Sequence, residues 1–208
     1  MSVRTAMLVV ALLFAGARTA GAQELEEPRP RQGYYVAGGL LAAVQHIDDD
    51  GDKLGFWPGY TVTVRLGQLF TRRFGLGFQL DVGSGSREGE RSSLIGLGLG
   101  GQMVLVGNLS LHGVVGLGVV SATRTRHDEE EVRGAYGAAY TLGLSYDWFP
   151  WARGRSGGWA VTPMLLARAL PGDPLTSYAG MFGLEVTWWS GLPKNQLDLP
   201  IEQAFERE

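Results

Sequence analysis

Residues 136–148, YGAAYTLGLSYDW, sort by parity: Tyr136, Ala138, Tyr140, Leu142, Leu144, Tyr146 and Trp148 form one set, and Gly137, Ala139, Thr141, Gly143, Ser145 and Asp147 the other. A period of two is the mark of a β-strand, whose successive side chains point to opposite faces. One face here is apolar and aromatic, the other small or polar. The same split recurs on both sides of this stretch. Tyr60, Val62, Val64 and Leu66 stand against Thr61, Thr63, Arg65 and Gly67; Phe74, Leu76, Phe78, Leu80 and Val82 stand against Gly75, Gly77, Gln79, Asp81 and Gly83. Ile95, Leu97 and Leu99 alternate with Gly96, Gly98, Gly100 and Gln102, while Leu109, Leu111, Val115, Leu117 and Val119 alternate with Ser110, His112, Gly116 and Gly118. Tyr178, Gly180, Phe182, Leu184, Val186 and Trp188 oppose Ala179, Met181, Gly183, Glu185 and Thr187. Two segments are less regular: 33–46 is apolar on both faces, and 159–170 contains Pro163, which lacks a ladder donor and predicts a bulge. The pattern therefore predicts eight strands of about ten to fifteen residues, long enough to cross a bilayer when tilted.

The connections fall into two classes by alternation. Arg72-Arg73, Gly107-Asn108 and residues 150–158 lie at one end; residues 47–59, 84–92, 122–134 and 171–176 lie at the other and carry most of the charge. A soluble barrel would turn its apolar face inward and show water a face rich in Lys, Glu and Arg. The second face is instead mostly Gly, Ala, Thr and Ser, which suits a narrow lumen and sends the apolar face to lipid. Aromatics support this reading. Tyr34, Tyr35, Phe70, Phe74, Trp148, Phe149, Trp151, Trp159, Trp188 and Trp189 cluster at the short-turn end, and Phe56, Trp57, Tyr60, Tyr136 and Tyr178 at the other, as two interfacial girdles would. The fold expected is all-β, an eight-stranded antiparallel up-and-down transmembrane β-barrel over residues 33–189, with short periplasmic turns and longer extracellular loops.

Composition bounds the rest. The chain has 208 residues, a formal net charge of −3, 32 glycines and no cysteine. Disulfides and thiolate zinc sites are excluded, and the acidic balance argues against nucleic acid. Arg4, the apolar run Met7 to Ala15 and the sequence Ala20-Gly21-Ala22 predict a secretory signal peptide over residues 1–22, cleaved before Gln23. Residues 23–32 form a short N-terminal segment, and residues 190–208 a polar periplasmic tail.

The pattern resembles the small eight-stranded outer-membrane barrels of Gram-negative bacteria, the family of OmpX and the membrane domain of OmpA. The resemblance covers roughly residues 33–189 and implies a location in the outer membrane. It also implies contact with outer-membrane lipid and lipopolysaccharide, and handling by the barrel-assembly machinery during biogenesis. In the last strand Gly183, Val186 and Trp188 fit the assembly signal of such barrels, whereas Met181 stands where a polar residue is usual.

The lumen-facing set predicted from parity is Arg65, Gln79, Asp81, Gln102, His112, Asp147, Arg168 and Glu185. In so narrow a barrel these should pair and plug the interior, with an Arg65-to-carboxylate bridge near the centre. Ser110, His112 and Asp147 also sketch a hydrolytic triad, which would make the protein a lipid-modifying enzyme. Those residues point into the lumen, away from lipid, so no catalytic residue is assigned. Gly96 to Gly101 matches the dinucleotide motif G-x-G-x-x-G but lies inside a strand with no helix after it. Period-two glycines instead leave room for larger neighbours. Asp48, Asp50 and Asp52 imitate the start of a calcium loop, but Lys53 takes the glycine position and Gly59 the glutamate position. No cofactor or metal is expected. The run His127 to Glu131 reads as a solvated loop. The function expected is non-enzymatic, structural or surface-interacting; the alternatives are lipid modification and a narrow conduit for small hydrophobic molecules.

Overall fold

Each of eight antiparallel strands pairs with the next, and the last pairs with the first, so that the sheet closes into a barrel. The computed structural model describes residues 31, 33–49, 52–71, 73–126, 129–151 and 157–191. The predicted signal peptide, the rest of the N-terminal segment, the tail beyond Gly191, Asp50 and the pair His127-Asp128 lie outside the described residues. The strands are β1 (Gly33–Asp49), β2 (Asp52–Leu69), β3 (Phe74–Arg87), β4 (Glu90–Val106), β5 (Leu109–Arg126), β6 (Glu129–Tyr146), β7 (Gly158–Leu170) and β8 (Leu175–Trp189).

Register fixes the shape. Following paired residues once around the wall gives Gly33, Leu69, Gly75, Gln102, His112, Gly143, Leu166, Met181 and then Ala43. The circuit thus returns to β1 ten residues from its start, from 33 to 43. With strands about 4.7 Å apart and a rise of about 3.3 Å per residue, this stagger tilts the strands by about 40°. The interior is then just wide enough to be filled by side chains.

Parity survives throughout the wall. Leu97, Leu99, Leu117, Phe182 and Leu184 are exposed on the outer face, whereas Thr63, Gln79, His112, Thr162 and Glu185 are buried inside. Glycines on the inner face admit larger side chains from other strands: a Cβ on Gly67 would lie 2.5 Å from the phenol of Tyr35, its partner on β1, and one on Gly118 would strike Leu170.

Three expectations are corrected. The connections expected over 47–59, 84–92 and 122–134 are largely strand, since the ladders run on to Asp49↔Asp52, Arg87↔Glu90 and Arg126↔Glu129. Polar residues crowd these stretches, so hydrophobic alternation fades while backbone pairing persists. Pro163 makes no bulge: β7 stays in unbroken register with β8, and bridges at Trp148↔Val161 and Gly137↔Gly172 prolong the short β6–β7 ladder on either side. Its missing N–H removes a bond without inserting a residue. Register shifts occur instead between His46 and Asp48 and between Val104 and Val106. Finally, Tyr35, Trp57 and Trp189, expected in the girdles, are buried inside. Trp57 joins Ile47, Leu94, Val120, Ala122, Leu170 and Leu175 in an apolar cluster at the hairpin end, opposite the end that holds Arg73. Tyr35 and Trp189 pack with Leu69 and Ala160 at the other end, their rings 5.0 Å apart.

Candidate functional site: the filled lumen

Between these apolar ends lies a band of buried polar side chains. Arg65, at an inward position of β2, reaches across to Glu185 on β8, donating from Nε to Oε2 at 2.9 Å and from Nη2 to Oε1. The fork of a guanidinium matches the two oxygens of a carboxylate, which makes this among the stronger polar contacts available to side chains. Arg65 Nη1 lies 2.6 Å from His112 Nδ1, and the Tyr35 ring stacks near the guanidinium, 5.8 Å away. A guanidinium has only donors, so His112 Nδ1 accepts and Nε2 carries the proton, directed at Ser145 Oγ 2.5 Å away.

The bonding continues toward the short-turn end. Thr187 donates to Glu185 at 3.0 Å, and Thr162 donates to Asp147 at 2.7 Å. Asp147 pairs with Arg31 Nε at 2.5 Å. Arg31 also donates to Ser110 Oγ at 2.9 Å and to the Asn108 carbonyl, and Gln102 reaches the same Ser110 at 3.3 Å. Toward the hairpin end a second group forms around Asp81. Arg168 Nη2 lies 2.5 Å from its Oδ2, Gln79 donates to both its oxygens, and Arg168 Nε donates to Thr141 at 3.3 Å. Farther still, Gln45 links Ser92 and Ser177.

All eight residues predicted for the lumen are buried, in two groups: Arg65, Gln102, His112, Asp147 and Glu185, and separately Gln79, Asp81 and Arg168. The triad sketched from Ser110, His112 and Asp147 is not assembled. His112 faces Arg65 and Ser145, Ser110 serves Arg31 and Gln102, and Asp147 is held by Arg31 and Thr162. Asp48, from the aspartate triplet, lies 3.2 Å from His46 Nε2. Gly96 to Gly101 is strand throughout.

Sequence reasoning missed Arg31, which precedes the first strand. Its signal was parity: inward positions of β1 are odd, and Arg31 continues the series backwards from Tyr35 and Ala37. With it, the three ion pairs Arg31–Asp147, Arg65–Glu185 and Arg168–Asp81 balance in charge. Burying an ion costs several kcal/mol unless it is paired and hydrogen-bonded, so matched charges are what a closed lumen requires. Arg31→Ala leaves Asp147 with only Thr162, and the expected loss is about 1–3 kcal/mol in urea unfolding followed by tryptophan fluorescence. Arg31→Lys should lose less.

Space is scarce around these groups. One recess beside Gln45, Trp57 and Arg168, and another beside Tyr35, Arg65 and His112, are each about the size of one water molecule.

Known proteins agree with this geometry. The crystal structure of Ail, the attachment invasion locus protein of Yersinia pestis, superposes with a TM-score of 0.56 at 16% identity, covering 75% of this chain and 99% of Ail. Its complex with the heparin analogue sucrose octasulfate gives 0.54 at 18% identity, with the same coverage. Neisserial surface protein A gives 0.50 at 14% identity, over 76% of this chain and 97% of that one. No curated protein matches the sequence. These likenesses show the fold, an eight-stranded outer-membrane barrel. The sequence itself matches the outer membrane protein beta-barrel domain over residues 7–148, and the chain belongs to that family.

Proposed function

We propose that this outer-membrane barrel is a non-enzymatic structural protein of the cell surface, whose lumen residues lock the wall and whose hairpins meet other molecules. The observation that carries the reading is the filled interior, which three ion pairs and two apolar clusters occupy. A conduit would need a continuous wet path, and a hydrolase would need a nucleophile within reach of its base and of lipid. In this reading the signal peptide 1–22 is removed, the barrel-assembly machinery inserts residues 33–189, the short turns and the tail lie in the periplasm, and the hairpins face outward.

The test combines two measurements on one preparation. Protein from the outer-membrane fraction should migrate differently in SDS before and after boiling, as a closed barrel does. Reconstituted in planar bilayers, it should show no steady conductance, and lipopolysaccharide acylation should be unchanged by its expression. Sustained single-channel currents would replace the structural role with that of a conduit.

A further inference from the structure

Across β3, β4 and β5 the outer face forms rows of directly paired residues. Phe78, Leu99 and Val115 make one row, Leu80, Leu97 and Leu117 the next, and Val82, Ile95 and Val119 the third. Two residues farther toward the hairpin end, about 7 Å along the strands, the row is Ser84, Ser93 and Ser121, and the one after it Ser86, Arg91 and Thr123. The surface changes from wholly apolar to wholly polar in a single step.

The six polar residues supply five hydroxyls, one guanidinium and no carboxylate. One internal bond joins them, Ser93 Oγ to Ser121 Oγ at 2.7 Å. Among the described residues no side-chain hydrogen bond or ion pair engages Ser84, Ser86, Arg91 or Thr123. The patch is also bounded. Tyr60 stands beside Ser84, Gly134 beside Ser121 and Val132 beside Thr123. On these three strands polarity is thus gathered in one patch directly above the apolar rows.

We propose that this grid is a binding site for a phosphorylated lipid head group. Arg91 takes the phosphate, as a guanidinium fork suits, the hydroxyls of Ser93, Ser121 and Thr123 meet the neighbouring head-group oxygens, and the acyl chains lie down the Val82–Ile95–Val119 rows. The six residues carry one positive charge and no carboxylate of their own. The hydrocarbon rows directly below distinguish a lipid from a soluble phosphate. In the cell, the lipid available depends on the hairpins facing outward, as proposed above; where they do, it is lipid A.

The full-length protein in detergent micelles is titrated, by native mass spectrometry, with bis-phosphorylated lipid A, with the dephosphorylated lipid carrying the same chains, and with inorganic phosphate. Saturable binding of the phosphorylated lipid is expected, roughly tenfold tighter than that of the dephosphorylated one, the weight of one charge-assisted contact. Arg91→Ala should lose the same roughly tenfold, Arg91→Lys less, and Arg73→Ala at the opposite end nothing, each variant keeping its heat-dependent gel shift. Equal binding by Arg91→Ala, or by the dephosphorylated lipid, overturns the site. Inorganic phosphate bound as tightly as lipid A overturns the lipid as its ligand. Micelles expose both ends, so these outcomes do not depend on orientation. Orientation is read separately by labelling Glu88→Cys on intact cells, in a chain that has no other cysteine.

Discussion

Arg65→Met is expected to lower unfolding free energy by about 3–5 kcal/mol, because it leaves the fully buried Glu185 carboxylate without its cation. Thr187 still donates to Glu185, but one hydroxyl does not offset a lost ion pair. Removing both charges tells loss of the pair from loss of packing. Arg65→Met combined with Glu185→Leu should recover most of the deficit, since a buried ion pair is often no more stabilising than apolar groups of similar volume. The measurement is urea unfolding in detergent, followed by tryptophan fluorescence and by the unboiled gel band. Undiminished stability of the single variant would mean that the lumen does not depend on this bridge.

Trp57→Ala is expected to be as damaging. Trp57 is 0% exposed and packs within the hairpin-end cluster, and emptying so large a space in a packed interior costs about 3–5 kcal/mol. Its neighbour Phe56 is 65% exposed on the outer face, and Phe56→Ala should cost under about 1 kcal/mol in the same detergent assay. The contrast sets two adjacent aromatic residues against each other in one denaturation series. The reverse order would place Trp57 in the interfacial girdle and Phe56 inside.

The wall was legible in the sequence because lipid and lumen impose opposite demands on alternate residues, as in Tyr140 and Thr141 or Leu184 and Glu185. The legibility stopped where those demands stop. Beyond Ser84 and Ser121 polar residues crowd the sequence, and the strands continue with little parity to mark them. Trp57 stands near a strand end, where girdle residues gather, yet parity sets it on one face with Thr61, Thr63 and Arg65. Tyr35 was harder, since β1 is apolar on both sides. Which carboxylate meets Arg65 could not be read at all, for the partner is chosen by the stagger of the closed sheet. Glu185 and Arg65 are 120 residues apart and meet through the lumen, not along a ladder.

The seam that closes the wall joins the first strand to the last, without a break from Tyr35↔Trp189 to Asp49↔Leu175. No interior exists until both are present, so Arg65 waits for its carboxylate until nearly the whole chain has been made. Stability in such a protein arrives late and all at once. Until its first and last strands pair, the chain carries lumen charges whose partners lie far along the sequence.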